Sequence, residues 1–226
     1  MDDPSFSLGR CAGWRSRLYA NWKLKFAGIP AFVAVFFAAY FLLLRHPVFD
    51  VTMMPVTALD RAIGYEPLAL GLYFSLWFYV SLAPSLLSRR EDLWFHGGMA
   101  AVLGVIGLGI FFVWPTAVPM GAGLDAGDAE ALAWLKKVDA AGNACPSLHV
   151  AFAVFSGMWL ERVLRTMKAP LFLRLLNVAW CAGITYATLA TKQHVVIDAV
   201  AGAALGAIVG SIGFRQPLDG GGASNG

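Results

Sequence analysis

The chain has 226 residues, of which 58% are hydrophobic and 14% charged, and its formal net charge is +3. Soluble globular domains are nearer half apolar and a quarter charged, so this composition indicates a membrane protein. The small net charge, without a basic stripe of interleaved aromatic residues, argues against nucleic-acid binding. The three cysteines show no C-x-x-C spacing and predict neither a zinc site nor a disulfide framework. Cys145 is interpreted as a small packing residue.

Six apolar segments are long enough to cross a bilayer, since a spanning helix needs about 20 residues. They predict an all-α integral membrane bundle of six transmembrane helices, over residues 26–44, 68–87, 97–114, 146–164, 170–189 and 194–214. The first is longer than a signal-peptide core and no A-x-A cleavage site follows it, so we interpret it as a retained helix. The predicted organisation is a basic cytoplasmic segment at 1–25, one membrane domain at 26–214 and a disordered Gly-rich tail at 215–226.

Basic residues concentrate on one side of this predicted bundle. That side holds the N-terminal segment, the second-to-third and fourth-to-fifth connections, and Arg215 after the sixth helix. The opposite connections carry more acids, among them Asp50, Asp60 and Glu66. Because Lys and Arg favour the cytoplasmic side, we expect both termini to be cytoplasmic, in a multi-pass protein of the cell (inner) membrane.

A Pro-Ser-Leu-His sequence, residues 146–149, opens the fourth predicted helix at its extracytoplasmic end. Pro146 is predicted to occupy the first helical position, which suits proline. Ser147 and His149 then lie in the first turn, where free N–H groups and the helix dipole attract an anion. Ser147 is alternatively only a helix cap.

A second polar cluster, Thr191 to Gly202, opens the sixth predicted helix on the same membrane face. His194 and Asp198 are four residues apart and share one helix face, so the carboxylate can fix the imidazole tautomer. Glycines at 202, 206 and 210 continue at the same spacing, typical of close helix packing within a chain or in a homodimer. Ionisable residues inside a membrane span indicate a functional site.

Two histidines, a carboxylate, a serine at a helix N-terminus and Lys192 are thus predicted to converge at one membrane face. Such groups suit phosphoryl transfer. One imidazole attacks phosphorus, the other protonates the leaving oxygen, and N–H groups with a cation hold the phosphate oxygens.

The sequences "CPSLHV" and "TKQHVVID" resemble the second and third motifs of the type 2 phosphatidic acid phosphatase (PAP2) superfamily, Pro-Ser-x-His and His-x-x-x-Asp. "FFVWPTAVP" looks like a degenerate first motif. Leu148, where Gly is usual, is more similar to the inositol phosphorylceramide synthase-like branch. The resemblance implies that His194 is a nucleophile forming a phosphohistidine, Asp198 orients it and His149 is the general acid. Ser147 and nearby backbone N–H groups would hold phosphate oxygens, and no metal or cofactor would be needed.

The sequence departs from the family pattern in its cations. Thr188 stands where the third motif usually has Arg, and the "WPTAVPM" segment supplies neither the usual Lys nor Arg-Pro. Lys192 is expected to provide part of the missing charge at the phosphate, with Lys136 or Lys137 as further candidates.

Three functions follow as expectations. The first is hydrolysis of a lipid phosphate or diphosphate at the extracytoplasmic face. The second is a lipid phosphotransferase that passes a phosphoryl head group to an alcohol through the same phosphohistidine. The third is a non-catalytic protein that binds lipids. The expected partners are a phosphorylated lipid and membrane lipids, with a homodimer as an option.

His46 and His96 lack a partner pattern and are interpreted as interfacial residues.

Overall fold

The computed structural model describes residues 13–119 and 143–213, and these are mostly helical. The helices are α1 (Trp14–Tyr19), α2 (Trp22–Arg45), α3 (Ala58–Ala62), α4 (Ala69–Phe74), α5 (Leu76–Leu86), α6 (Arg90–Val113), α7 (Leu148–Thr166), α8 (Leu171–Ala190) and α9 (Val196–Gly213). Two short strands, β1 (Thr52–Met53) and β2 (Thr116–Ala117), pair in parallel.

Five helical segments of the described chain are long and apolar enough to cross a membrane: α2, α4 with α5, α6, α8 and α9. The second predicted span is therefore two helices, α4 and α5, that meet at Ser75. The fourth predicted span corresponds to α7, which has 19 residues but carries Glu161, Arg162 and Arg165 in its last turns. The chain is thus a helical membrane protein with five candidate spanning segments.

Helix boundaries differ from the predicted ones mainly at the N-terminal ends. Helix α6 begins at Arg90, several residues before the apolar run, because Glu91 and Asp92 in its first turn suit the helix dipole. The prediction that Pro146 is the first helical residue is wrong, since α7 begins at Leu148 with Ser147 as its N-cap. Serine is the better cap because its hydroxyl accepts a bond from the Val150 N–H, 3.3 Å away.

Helix α7 lies at the centre of the bundle, packed against α5, α8 and α9. Phe155 and Trp159 on α7 are fully buried, as are Val150 and Ala151. Helix α2 by contrast has a single buried residue, Lys25, and exposes large apolar side chains such as Val35 and Leu42. A helix surrounded by protein needs less hydrophobicity than one surrounded by lipid, which accounts for the charged end of α7.

Gly202, Gly206 and Gly210 form a glycine ladder on α9, and this ladder packs against α7. A Cβ at Gly202 would lie 2.2 Å from the carbonyl oxygen of Ser147, and one at Gly206 would lie 2.3 Å from that of Ala151. Only glycine allows backbones to approach this closely. Of the two uses left open by the sequence, packing within the chain is therefore realised, and it brings the starts of α7 and α9 together.

The strand pair adds a small correction to the all-α prediction. The Met54 N–H donates to the Ala117 carbonyl at 2.9 Å, and the Ala144 N–H donates to the Thr116 carbonyl at 3.2 Å. The Thr116 hydroxyl accepts a bond from the Cys145 N–H at 2.7 Å. Buried backbone groups outside helices need such partners. Thr116, which belongs to the segment that resembles a degenerate first motif, thus hydrogen-bonds the chain just before Ser147.

Candidate functional site

The imidazole of His194 is paired with the carboxylate of Asp198. The Nδ1 atom of His194 lies 3.0 Å from Oδ2 of Asp198, and both side chains are buried. An ionised carboxylate only accepts hydrogen bonds, so Nδ1 carries the proton and Nε2 keeps its lone pair. The predicted pairing of the two side chains is therefore confirmed, but the prediction that both stand on one helix is wrong. Helix α9 begins at Val196, so His194 lies just before it and Asp198 in its first turn.

Asp198 also connects the two sequence motifs. Its Oδ1 accepts the Val195 N–H at 3.0 Å, and its backbone carbonyl accepts the Ser147 N–H at 2.9 Å. Ser147 is fully buried, and its Oγ accepts the Val150 N–H. The capping role of Ser147 is therefore realised.

His149 projects from the first turn of α7 beside His194. The centroids of the two imidazole rings are 5.7 Å apart. The His149 ring stacks on Tyr73 at 4.6 Å and meets the edge of Trp77 at 6.0 Å. This aromatic pair on α4 and α5 was not predicted from the sequence. The arrangement holds two imidazoles close enough to act on one small group between them.

Lys192 lies in the connection between α8 and α9, with its ammonium group turned to backbone carbonyls. Its Nζ donates to the carbonyl of Asp60 at 2.9 Å and to that of Ile63. Burial lowers the pKa of Lys192, and the nearby carboxylate of Asp60 opposes this shift. Two of its three N–H bonds are thus engaged in holding the α3 region, and one remains for another acceptor.

Asp60 is a residue that the sequence analysis did not single out. Its Oδ2 forms a capping box with Thr57, and its Oδ1 accepts the Val196 N–H at 2.7 Å. It therefore caps two helices, α3 and α9. A Thr-x-x-Asp capping pattern is visible in the sequence, but its bond to a residue 136 positions away is not.

Thr188, which stands where the family motif usually has Arg, has a structural role. Thr188 is fully buried, and its carbonyl accepts the backbone N–H groups of Gln193 and His194, each at 3.2 Å.

Burial, with Asp198 nearby, raises the pKa of the Cys145 thiol to about 11, as expected of a packing residue. Lys136 and Lys137 lie outside the described residues.

His46 is exposed at the end of α2, as an interfacial residue would be. The interfacial interpretation of His96 is wrong. His96 is 6% exposed and packs between Phe155 and Trp159, with ring centroids at 5.3 and 5.0 Å. The sequence shows only that His96 stands near a basic loop, whereas the packing of α6 on α7 turns its ring inward.

An apolar cavity of about 650 Å³ begins at His149. It lies between α2, α5, α6 and α7, and reaches Lys25 and Trp94 in the first turns of α2 and α6. Lys25 and Tyr40, both in its wall, are 15 residues apart on α2, or about 22 Å along the helix. That is most of the hydrocarbon thickness of about 30 Å.

Comparison with known proteins gives a family. A family model described as the PAP2 superfamily matches residues 67–212, which include both histidine motifs. No curated protein and no solved structure matches the chain.

Proposed function

The chain belongs to the PAP2 superfamily, and from that premise we propose that it is a membrane-embedded lipid phosphatase acting through a phosphohistidine. The observation that carries the proposal is the pairing of His194 with Asp198 beside the ring of His149. One imidazole with a fixed free nitrogen and a second imidazole next to it are the parts that such a reaction requires.

In the proposed reaction, Nε2 of His194 attacks phosphorus and the bond to the lipid oxygen breaks. His149 gives a proton to that oxygen, and the lipid alcohol leaves. His149 then takes a proton from water, whose oxygen attacks the phosphohistidine and releases phosphate. Asp198 stabilises the positive charge that develops on His194. Ser147, with the free N–H groups at the start of α7 and one N–H of Lys192, is proposed to bind the phosphate oxygens.

The cavity supports a lipid substrate. It starts at His149 and is lined by apolar side chains such as Phe36, Phe152 and Phe155. A lipid whose phosphate lies between the two histidines can place a hydrocarbon chain there without exposing it to water.

The six-span topology with both termini cytoplasmic is part of the proposal. The starts of α7 and α9 are in contact, through the bond from the Ser147 N–H to the Asp198 carbonyl. If α8 and α9 both cross the membrane, the end of α7 lies on the other side, so α7 must cross as well. At 19 residues α7 is about 28 Å long, enough for this. The basic loops then place the histidines at the periplasm or exterior.

The test is phosphate release by the detergent-purified protein from phosphatidate, a prenyl diphosphate and phosphatidylglycerol phosphate. We expect release that is lost in His194→Ala and kept in His46→Ala, a matched control at an exposed histidine. Equal release by both variants would refute the phosphohistidine.

A phosphotransferase of the inositol phosphorylceramide synthase-like kind is the second candidate, favoured by Leu148. This side chain lines the cavity beside His149 and fills the space left by Gly107, with Cδ2 2.3 Å from where a Cβ would stand. Head-group transfer to an added alcohol or ceramide, without phosphate release, would select it. If neither phosphate release nor head-group transfer were detected, the non-catalytic lipid-binding alternative would be favoured.

A further inference from the structure

The far end of the cavity, opposite His149, contains a buried cation. Lys25 lies in the wall of the cavity and is only 7% exposed, although it stands in the first turn of a helix in which no other residue is buried. Lysines at such positions usually extend toward water. Here the ammonium group is held inside by the carbonyls of Arg17 and Ser85, with Nζ to oxygen distances of 2.6 and 2.8 Å.

The charge of Lys25 is not neutralised within residues 13–119 and 143–213. Both of its acceptors are neutral carbonyls, and none of the ion pairs of the described residues includes it. One of its three N–H bonds is left for a further acceptor. A buried ammonium group without an anion is costly, so an anionic ligand at this position would be strongly favoured.

Donors without partners also occur in the segments that contact Lys25, although Arg17 and Ser88 are not among the residues that line the cavity. In the described part of the chain, Nε of Arg17 and Oγ of Ser88 are buried without a hydrogen-bond partner. The Nη1 of Arg17 is 3.4 Å from the carbonyl of Leu86, next to the Ser85 carbonyl that Lys25 contacts. His96, in the cavity wall in the second turn of α6, likewise has a buried Nε2 without a partner among these residues.

We propose that this end of the cavity binds an anionic phospholipid, with its phosphate at Lys25 and Arg17 and an acyl chain inside the cavity. The hydrocarbon end of a substrate chain that enters from His149 does not complement a cation, whereas a phosphate does. The ligand must also be amphiphilic, because the wall beyond Lys25 is apolar, with Gly28, Phe32 and Leu93 among its residues. The site belongs to the membrane face opposite the histidines and does not depend on their chemistry.

The test is lipid binding by the full-length protein, purified in detergent as the His194→Ala variant so that no lipid is consumed. Dioleoyl phosphatidylglycerol is compared with dioleoyl phosphatidylcholine by the shift in Tm and by native mass spectrometry. We expect the anionic lipid alone to give a saturable shift, and Lys25→Gln to bind it about tenfold more weakly or worse. Lys23→Gln is the matched control, because Lys23 is exposed two residues away and contributes only to the general surface charge.

Gly97→Leu keeps the proposal testable if Lys25→Gln does not fold. A Cβ at Gly97 would meet no atom within 4 Å, and the residue lines the cavity, so the backbone accepts a side chain there and leucine would take up cavity volume. We expect this variant to fold and to lose the anionic-lipid shift. An undiminished shift in Lys25→Gln or Gly97→Leu, an equal loss in Lys23→Gln, or the same shift with inorganic phosphate alone would each overturn the proposal.

Discussion

The contact between His194 and Asp198 joins the segment just before α9 to the first turn of that helix. The four-residue interval places the carboxylate 3.0 Å from Nδ1, and burial of both groups strengthens their interaction because water no longer competes. The second ring, that of His149, is positioned by Tyr73 from another part of the chain. The position of His194, the proposed nucleophile, therefore follows from a nearby residue of the same segment, whereas that of His149, the proposed general acid, depends on an aromatic neighbour from another helix.

Lys192 has an observed structural role and a proposed role in phosphate binding, and the two can be separated. Loss of its bonds to the carbonyls of Asp60 and Ile63 leaves buried acceptors unpaired, so we expect Lys192→Met to lower the free energy of unfolding by about 1–3 kcal/mol. The proposed phosphate contact predicts in addition a higher KM for the lipid phosphate.

Both quantities are measurable on the same purified variant, through Tm in detergent and steady-state phosphate release. A lower Tm with unchanged KM and kcat would make Lys192 a structural residue and leave the phosphate to Ser147 and the start of α7.

At the scale of elements, the α7–α9 contact determines the site. Because a Cβ at Gly202 would lie 2.2 Å from a backbone oxygen, Gly202→Ala must push the two helices apart. We expect a destabilisation of about 1–3 kcal/mol and a large loss of turnover, since the contact carries the bond between Ser147 and Asp198. The measurement is thermal unfolding beside phosphate release.

Gly109→Ala provides the control for this prediction. Gly109 lies on α6, and a Cβ added there would meet no atom within 4 Å, so alanine should not destabilise the protein and should leave turnover unchanged. Equal effects of the two substitutions would mean that the glycine ladder does not hold the motifs together.

Asp60 links α3 to the start of α9. Removal of its carboxylate in Asp60→Ala takes away the acceptor for the Val196 N–H and the cap of α3, at a cost of about 1 kcal/mol for each cap. We expect kcat to fall, because His194 directly precedes this turn, and Asp60→Asn to recover part of it by supplying an amide oxygen.

Asp50, which is exposed on the same connection, is the matched site for comparison. If Asp50→Ala reduced kcat as much as Asp60→Ala, the effect would come from loss of loop charge and not from the bond to Val196.

At the scale of the whole molecule, the proposed topology can be tested with single cysteines in a variant lacking the native ones. We expect Asp50→Cys to react with a membrane-impermeant maleimide in intact cells, and Lys168→Cys to react only after permeabilisation. Labelling of Lys168→Cys from outside would show that α7 does not cross, and the six-span arrangement would be wrong.

The sequence by itself determined the membrane class, the helical architecture, the family and the histidine pairing with its carboxylate. These depend on composition and on short intervals along the chain, which a sequence displays directly. Three features were decided only by the tertiary structure: the bonds of Asp60 and Lys192, the inward position of His96, and the cavity from His149 to Lys25. Each depends on which helix faces pack together, and the nearly uniform hydrophobicity of membrane helices gives little indication of that packing.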